Sequence, residues 1–258
     1  MDKISRHEGR RWLSRRNVLA GLPLATLPLS SCGMVRRGFD YSYRLTLAVK
    51  ANGATHTGSS VVRVHQWNEQ TIDEGWMTQT SIHGEATTVP LGNGGVLATL
   101  LLADGLLGPV VGWRGPPTGI LRSVYGIADA PFSDKEAYDA AAQDLAYQRG
   151  PRDLTAKQLP ALVAFLRADD PNSGVLVDPG NLAASLGASV SLRAARIEVT
   201  DSPVTHGIEH VLPWLDARLE AQSAAHGSYF LSTTQHPAWF IGFRNVPFGY
   251  VLPTAFKS

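Results

Sequence analysis

Strict alternation of apolar and polar positions is the clearest pattern in the body of the chain. Between residues 41 and 50 every second side chain is apolar: Tyr41, Tyr43, Leu45, Leu47 and Val49. This period of two predicts a half-buried β-strand. Asn52-Gly53 follows directly, and this dipeptide is the strongest short signal for a two-residue hairpin turn. Residues 56–67 are therefore predicted to return as the partner strand.

Similar patterns predict further strands. After a polar connection over residues 69–75, residues 76–91 predict a third strand with a bend at Gly84, and a glycine-rich turn at 92–95 leads into an apolar strand over 96–102. Four strands joined by short turns predict an antiparallel meander. Near the C-terminus, residues 228–234 and 238–245 have strand composition. We expect both of them to join the same sheet.

Helix signals are concentrated in the second half of the chain. Ser133 and Glu136 have the spacing of a capping box, which predicts a helix over about residues 134–148. Thr155 is the predicted cap of a second helix that runs to Arg167. Asp201-Ser202-Pro203 predicts the start of a third helical region, which Pro213 divides.

Together these patterns predict an α+β fold. Its meander sheet from the N-terminal half is joined by C-terminal strands, with three or so helices packed on one side. Residues 105–119, rich in Gly and Pro, are expected to form an irregular loop. With 258 residues, 44% of them hydrophobic, the chain can bury a sizeable core. No long linker interrupts residues 39–258, which are predicted to form one globular domain after an export signal at 1–32 and a tether at 33–38.

The N-terminal segment differs from the rest in charge. Residues 1–32 contain six Lys or Arg and two acidic side chains, which leaves 17 of the 23 basic and 20 of the 22 acidic residues for the remainder. A slightly acidic body gives no electrostatic case for a nucleic-acid partner. From Asn17 to Val35 there is no charge, and Pro23 and Pro28 interrupt the apolar run. A basic start followed by a short apolar stretch is typical of a secretory signal rather than of a membrane-spanning helix.

Two short motifs refine this prediction. Residues 14–19, SRRNVL, resemble the twin-arginine export motif through Ser14, Arg15, Arg16 and Leu19. Val18 stands where phenylalanine is most common, and Ala20 where lysine is frequent. The resemblance implies that the protein uses an export machinery that transports folded proteins.

The second motif ends at the only cysteine of the chain. Leu29-Ser30-Ser31-Cys32 resembles a lipobox, which implies cleavage after Ser31 and a lipid on the Cys32 thiol. A lipid chain buried in a bilayer contributes about 0.8 kcal/mol per methylene group. Met34, rather than an aspartate, follows Gly33, which favours the outer membrane under the enterobacterial sorting rule. An uncleaved N-terminal anchor, secretion without a lipid and an ordinary buried thiol remain alternatives.

A longer segment carries a second resemblance. Residues 169–215 resemble a segment of a broad group of bacterial proteins that have no assigned activity. Four stretches carry it: Val177-Asp178-Pro179, Leu182-Ala183-Ala184-Ser185, Glu198-Val199-Thr200-Asp201 and Leu212-Pro213-Trp214-Leu215. Thr57-Gly58-Ser59-Ser60-Val61 is a further candidate member of the pattern. The resemblance implies a shared fold and brings no functional residues.

The sharpest candidate for chemistry is the H-x-x-E-H pattern of His206, Glu209 and His210. On a helix both histidines would share one face and could bind zinc, while Glu209 would activate water. Gly207 and Pro213 oppose such a helix. Catalytic zinc also needs a third protein ligand, for which Glu220, His226 and His236 are the downstream options. No metal site and no cofactor are therefore predicted.

Other candidates have weaker support. A hydrolytic site would need one of Ser59 and Ser60 to meet one of His56, His65 and His83 across neighbouring strands. The glycine-rich 91–95 is predicted to be a turn rather than a phosphate loop, and Asp169-Asp170 a helix end rather than an acid–base pair. Trp113, Trp214 and Trp239 are expected in the core. The sequence thus favours a cell-envelope lipoprotein that faces the periplasm and has a non-catalytic binding or assembly role. The alternative is a periplasm-facing hydrolase, for which zinc bound by His206 and His210, with Glu209, is one candidate centre.

Overall fold

A computed structural model describes most of the body of the chain. The described residues are 37–71, 75–101, 117–128, 130, 134–217, 220 and 244–246. The predicted export signal, including Cys32, and the predicted strand over 228–234 lie outside them, as does nearly all of the predicted loop over 105–119.

The larger of two sheets is built on the predicted hairpin. Its six strands are antiparallel and lie in the order β10-β3-β2-β1-β9-β6. Their ranges are β1 (Arg37–Ala51), β2 (Ala54–Thr71), β3 (Gly75–Glu85), β6 (Arg152–Asp153), β9 (Ser191–Val199) and β10 (Arg244–Val246). Asn52 and Gly53 have φ values of 51° and 81°. Two positive φ angles match the type I′ turn that their sequence predicts, so the hairpin is confirmed.

The smaller sheet has four antiparallel strands in the order β4-β5-β7-β8. Their ranges are β4 (Thr88–Pro90), β5 (Val96–Thr99), β7 (Leu162–Phe165) and β8 (Gly174–Val177). The single third strand predicted over 76–91 is therefore wrong, because β3 and β4 belong to different sheets. Gly84 lies one residue before the end of β3 and has a φ of 138°, a backbone conformation that other residues rarely adopt. The predicted meander is correct for β1 to β3 only.

Four α-helical segments lie among the described residues: α1 (Thr118–Tyr125), α2 (Lys135–Ala146), α3 (Leu182–Leu186) and a fourth that includes residues 215–217 and 220. The predicted helix over 134–148 corresponds to α2. Its cap is Asp134, whose Oδ1 accepts a hydrogen bond from the Ala137 N–H at 3.0 Å. With two antiparallel sheets and few helices, the protein belongs to the predicted α+β class.

The predicted helix from Thr155 to Arg167 is wrong, and the third predicted helical region is correct only after Pro213, where residues 215–217 and 220 are helical. Thr155 precedes a single 3₁₀ turn (Ala156–Gln158), after which β7 begins at Leu162. All four residues of β7 are buried. Residues 200–207 are not helical, and the first helical turn after them is a 3₁₀ turn at Ile208–His210.

The core lies on both faces of the smaller sheet. Leu162 and Ala164 belong to a cluster with Tyr43 and Leu47 of β1, which also contains Leu121 of α1 and Leu145 of α2. The alternate residues of β7, Val163 and Phe165, belong to a second cluster with Ile208, Leu212 and Leu215. Burial on both faces explains why β7 is a continuous apolar run. Within the part of the chain that is described, no helix has the length and apolar character needed to cross a membrane.

Candidate functional site

A polar hollow lies on the outward face of the β1–β2 hairpin. Tyr41 and Tyr43 point into the core, so the alternating residues Asp40 and Ser42 face outward. The strand register places Asp40 opposite His65 and Ser42 opposite Arg63. Asp40, Ser42 and Arg63 line a hollow of about 330 Å³, which we call the polar hollow.

One wall of the polar hollow is the segment Thr200–Val204. The Thr200 N–H still donates to the Ser42 carbonyl at 2.9 Å, in continuation of the β1–β9 ladder. The Ser202 N–H instead donates to Thr200 Oγ1 at 3.2 Å, and Pro203 has no N–H to donate. The chain therefore leaves β1 at this point.

The same segment then bonds to the opposite side of the hairpin. The Thr205 N–H donates to the Val61 carbonyl at 3.0 Å, and the Val61 N–H donates to Thr205 Oγ1 at 2.9 Å. Residues 200–205 thus cross the outward face of β1 and β2. Arg44 of β1 supports the crossing, because its Nη2 donates to Ser202 Oγ at 2.6 Å.

Most charged side chains around the polar hollow are already paired. Arg44 forms an ion pair with Glu198, and Arg149 pairs with Asp201 at 2.7 Å. Asp40 Oδ1 lies 2.6 Å from His65 Nδ1. Arg63 is exposed and makes no ion pair with any residue that the structure describes. Arg63 is thus the basic side chain of the polar hollow that can form an ion pair with an acidic group of a ligand.

A buried polar cluster lies on the inward side of the same strands. The Tyr41 hydroxyl and Thr118 Oγ1 are 2.7 Å apart, and Thr118 donates to Gln66 Oε1 at 3.0 Å. Nearby, the guanidinium of Arg122 is 4% exposed and lies over the Tyr138 ring, 4.6 Å from its centroid. Burial raises the pKa of Tyr41 well above its usual range, and the pKa of Tyr43 is raised by the same cause.

The cluster connects α1 and α2 to the large sheet. Arg122 Nε and Nη2 have no hydrogen-bond partner in the described part of the chain. Stacking of the guanidinium on Tyr138 offsets part of the resulting desolvation cost. All of its side chains are buried, so we assign the cluster a role in packing.

The H-x-x-E-H residues do not form the arrangement that zinc binding required. Gly207 has a φ of 110° and precedes a 3₁₀ turn, so His206 and His210 are not one turn apart on an α-helix. The His210 side chain is 85% exposed. The Ile208 N–H donates to the buried Glu85 Oε2 at 2.9 Å, which holds this segment against the second core cluster. Among the described residues, no group of three or more potential metal ligands occurs.

The structure does not bring the candidate serines and histidines together. Ser60 faces inward and contacts Thr87 Oγ1 at 2.6 Å, whereas His65 faces outward. Ser59 shares the outward face with His65 but lies six residues away, which is about 20 Å along a strand. His56 shares the inward face with Ser60 at a distance of four residues, or about 13 Å.

His83 lies opposite Arg63 in the β2–β3 pairing, so it is also remote from both candidate serines. Its Nε2 is 3.4 Å from Ser81 Oγ. The pairs that a hydrolytic site required are thus not formed by these residues.

The remaining candidates have structural roles. Residues 91–95 form the turn between β4 and β5, closed by a Leu91 N–H bond to the Gly95 carbonyl at 2.9 Å. Asp170 caps the 3₁₀ turn Pro171–Ser173, and the Asn172 N–H, followed by Arg167, lowers the pKa of its carboxyl. Trp214 packs against Phe165 in the second core cluster and donates to the Ala168 carbonyl at 2.8 Å. Trp113 and Trp239 lie outside the described residues.

Comparison of the chain with protein-family models, with curated proteins and with solved structures gave no match in any of the three. The polar hollow is therefore described from its own geometry alone. Sequence reasoning had not selected Asp40, Ser42 or Arg63. The Asn52-Gly53 turn contained the signal for them, because a two-residue turn fixes which residues of β1 and β2 face each other.

Proposed function

We propose that the protein is a cell-envelope lipoprotein, exported in the folded state and anchored by a lipid on Cys32. The observation that carries this proposal is the order of parts in the first 32 residues. Paired arginines are followed by a short uncharged stretch and then by Leu29-Ser30-Ser31-Cys32. The bilayer and the export machinery are the partners that follow from it. Met34 favours the outer membrane, and the export signal favours a periplasmic orientation.

We further propose that the globular part binds a partner rather than catalysing a reaction. The polar hollow supports this role, because its acidic side chains contact His65 and Arg149, and the hydroxyl groups of Thr200 and Ser202 bond to neighbouring residues. A hydrolytic reaction needs a nucleophile in contact with a base. The serines and histidines selected from the sequence either lie on opposite faces of the sheet or are separated by about 13 Å or more along it.

We retain one finer feature of the fold as a proposal, namely that the helices pack on one side of the large sheet. Leu121 of α1 and Leu145 of α2 support it, since both belong to the cluster that contains the inward side chains of β1.

Metabolic labelling with radioactive palmitate tests the lipid anchor. We expect the wild-type protein to incorporate label and to fractionate with membranes, and Cys32→Ala to lose both properties. Ser30→Ala is the matched control, because it keeps a small residue in the lipobox and the thiol in place. Equal labelling of wild type and Cys32→Ala would overturn the proposal.

A second variant tests the export route. Arg15→Lys/Arg16→Lys keeps the charge of the segment but removes the paired arginines. We expect unprocessed protein to accumulate in the cytoplasm, whereas the control Arg10→Lys/Arg11→Lys should be exported normally. Normal processing of the first variant would exclude the twin-arginine route and leave the lipid anchor to be judged by the labelling experiment.

A further inference from the structure

Within the described part of the chain, the N-terminal part of β1 has a strand partner on one side only. Its pairing with β2 extends over the whole length of β1, from Arg37 opposite Asn68 to Ala51 opposite Ala54. Its pairing with β9 begins only at Tyr43, opposite Val199. On the β9 side, residues 38–42, which we call the β1 edge, therefore have one backbone hydrogen bond to the described residues, between Ser42 and Thr200, the residue that follows β9.

The hydrogen-bond pattern identifies the backbone groups that this edge presents. The Ser42 carbonyl points toward β9, because it accepts from the Thr200 N–H. Backbone groups alternate in direction along a strand, so the N–H and C=O of Asp40 and of Gly38 point to the same side. Continued pairing would place Ser202 opposite Asp40, but the Ser202 N–H donates to Thr200 Oγ1 instead.

The polar hollow lies directly beside this edge. Tyr41 lines it although its ring is buried, which shows that backbone of β1 forms part of the lining. Asp40, at the middle of the edge, has a side chain that is 52% exposed. An added strand would thus meet accessible backbone and, on its outward face, the side chains that line the hollow.

We propose that the β1 edge and the polar hollow bind an extended polypeptide segment that carries an acidic side chain. The backbone of the segment would continue the sheet beside Gly38 and Asp40, as in recognition by β-strand addition. Its acidic side chain would enter the hollow and pair with Arg63, the basic group there that has no carboxylate among the described residues. Arginine binds carboxylates with a planar fork of donors, which favours an acidic residue over a neutral one.

This inference deepens the proposed binding role and does not depend on the lipid. If Cys32 is acylated, the partner is also membrane-proximal, because the five-residue step from Cys32 to Arg37 spans at most about 18 Å. The segment would then belong to a protein at the same membrane surface.

Binding of synthetic peptides to the full-length protein in detergent micelles tests the inference. The probe is a fluorescent seven-residue peptide of alternating threonine and valine with a central glutamate. Two comparison peptides are used. The first has lysine in place of the central glutamate, and the second is the glutamate peptide with methyl groups on alternate backbone amides. We expect the glutamate peptide to bind at least tenfold more tightly than either one, because they lack the charge or the backbone donors.

Charge reversal at the hollow provides the specificity test. Arg63→Glu should weaken the glutamate peptide at least tenfold and should now favour the lysine peptide. Lys50→Glu is the matched control, since it makes the same charge change on the same face of the sheet but near the hairpin turn, and it should leave both affinities unchanged. Hydrogen exchange should show new protection at the Gly38 and Asp40 amides when the glutamate peptide is bound.

Three results would overturn the inference: no binding of the glutamate peptide, equal binding of the methylated peptide, or equal loss in Arg63→Glu and Lys50→Glu. The palmitate experiment fails or succeeds independently of these. Peptide binding without lipid labelling would leave the β1 edge as a binding site and remove the membrane address. Lipid labelling without peptide binding would keep the membrane address and overturn the assignment of the β1 edge as a binding site.

Discussion

The two faces of β1 have opposite chemistry although they share one backbone. The inward face presents Tyr41, Tyr43 and Leu47, all buried in the first core cluster. The outward face presents Asp40, Ser42 and Arg44. Asp40 and Ser42 line the polar hollow, Asp40 also contacts His65, and Arg44 forms an ion pair with Glu198. Alternation along one strand therefore lets a rigid core position a solvent-accessible polar surface. Substitutions on the two faces should separate stability from binding.

Truncation of the inward face should have the largest effect. Leu47 is fully buried, so Leu47→Ala removes apolar contacts and leaves a cavity. We expect the free energy of unfolding to fall by about 2–5 kcal/mol, measured by urea denaturation. Thr46→Ala, one residue earlier on the outward face, is the control and should change it by less than about 0.5 kcal/mol. Similar losses in both variants would contradict the division between the faces.

The sequence contained this division but only part of the site. The period of two over residues 41–50 identifies the inward face, and the Asn52-Gly53 turn then sets Asp40 against His65 and Ser42 against Arg63. The wall at Thr200–Val204 approaches from more than 130 residues away in the chain. Its position depends on hydrogen bonds to Ser42 and Val61, which no local pattern encodes.

The incorrect helix over Thr155–Arg167 shows a different limit. A short apolar run that is buried on both faces has no alternation, so periodicity cannot distinguish a strand from a buried helix. Leu162–Phe165 is such a run, and its partners in β5 and β8 lie elsewhere in the sequence. Tertiary pairing decided the outcome there, whereas local turn chemistry decided the first hairpin.

Alkaline pH should weaken the inward face through its tyrosines. Burial raises the pKa of Tyr41 in the folded state above its unfolded value near 10. The folded state therefore retains a proton that the unfolded state loses, and this contribution to stability is complete below about pH 10 and declines as the pH rises further. Above about pH 10, the free energy of unfolding should fall by up to about 1.4 kcal/mol per pH unit for each such tyrosine.

Denaturation at pH 9, 10 and 11 measures this effect. The slope of stability against pH should be smaller in Tyr41→Phe than in the wild type, by a difference that grows with pH and approaches one proton at pH 11. Tyr147→Phe is the control, because Tyr147 is 81% exposed and should leave the slope unchanged. Identical slopes in wild type and Tyr41→Phe would show that this phenol ionises without a folding penalty.

Loss of the buried hydroxyl itself should have a smaller effect at neutral pH. Tyr41→Phe removes the contact with Thr118 and leaves that side chain with Gln66. We expect a loss of about 0.5–1.5 kcal/mol at pH 7. The double variant Tyr41→Phe/Thr118→Val should show non-additivity, since the two residues share one hydrogen-bond chain. Strict additivity would indicate that the hydroxyls contribute independently.

An ion pair at the margin of the polar hollow should contribute least. Arg149 and Asp201 lie 2.7 Å apart, but their side chains are 50% and 83% exposed, so water screens their attraction. A double-mutant cycle with Arg149→Ala and Asp201→Ala should give a coupling of about 0.2–1 kcal/mol. In 1 M salt, where the screening length is about 3 Å, the coupling should approach zero. A coupling as large as that of the Tyr41–Thr118 pair, and unchanged by salt, would contradict this expectation. It would mean that this part of the outward face is as well shielded from solvent as the core. The polar hollow would then not be an open surface for a partner.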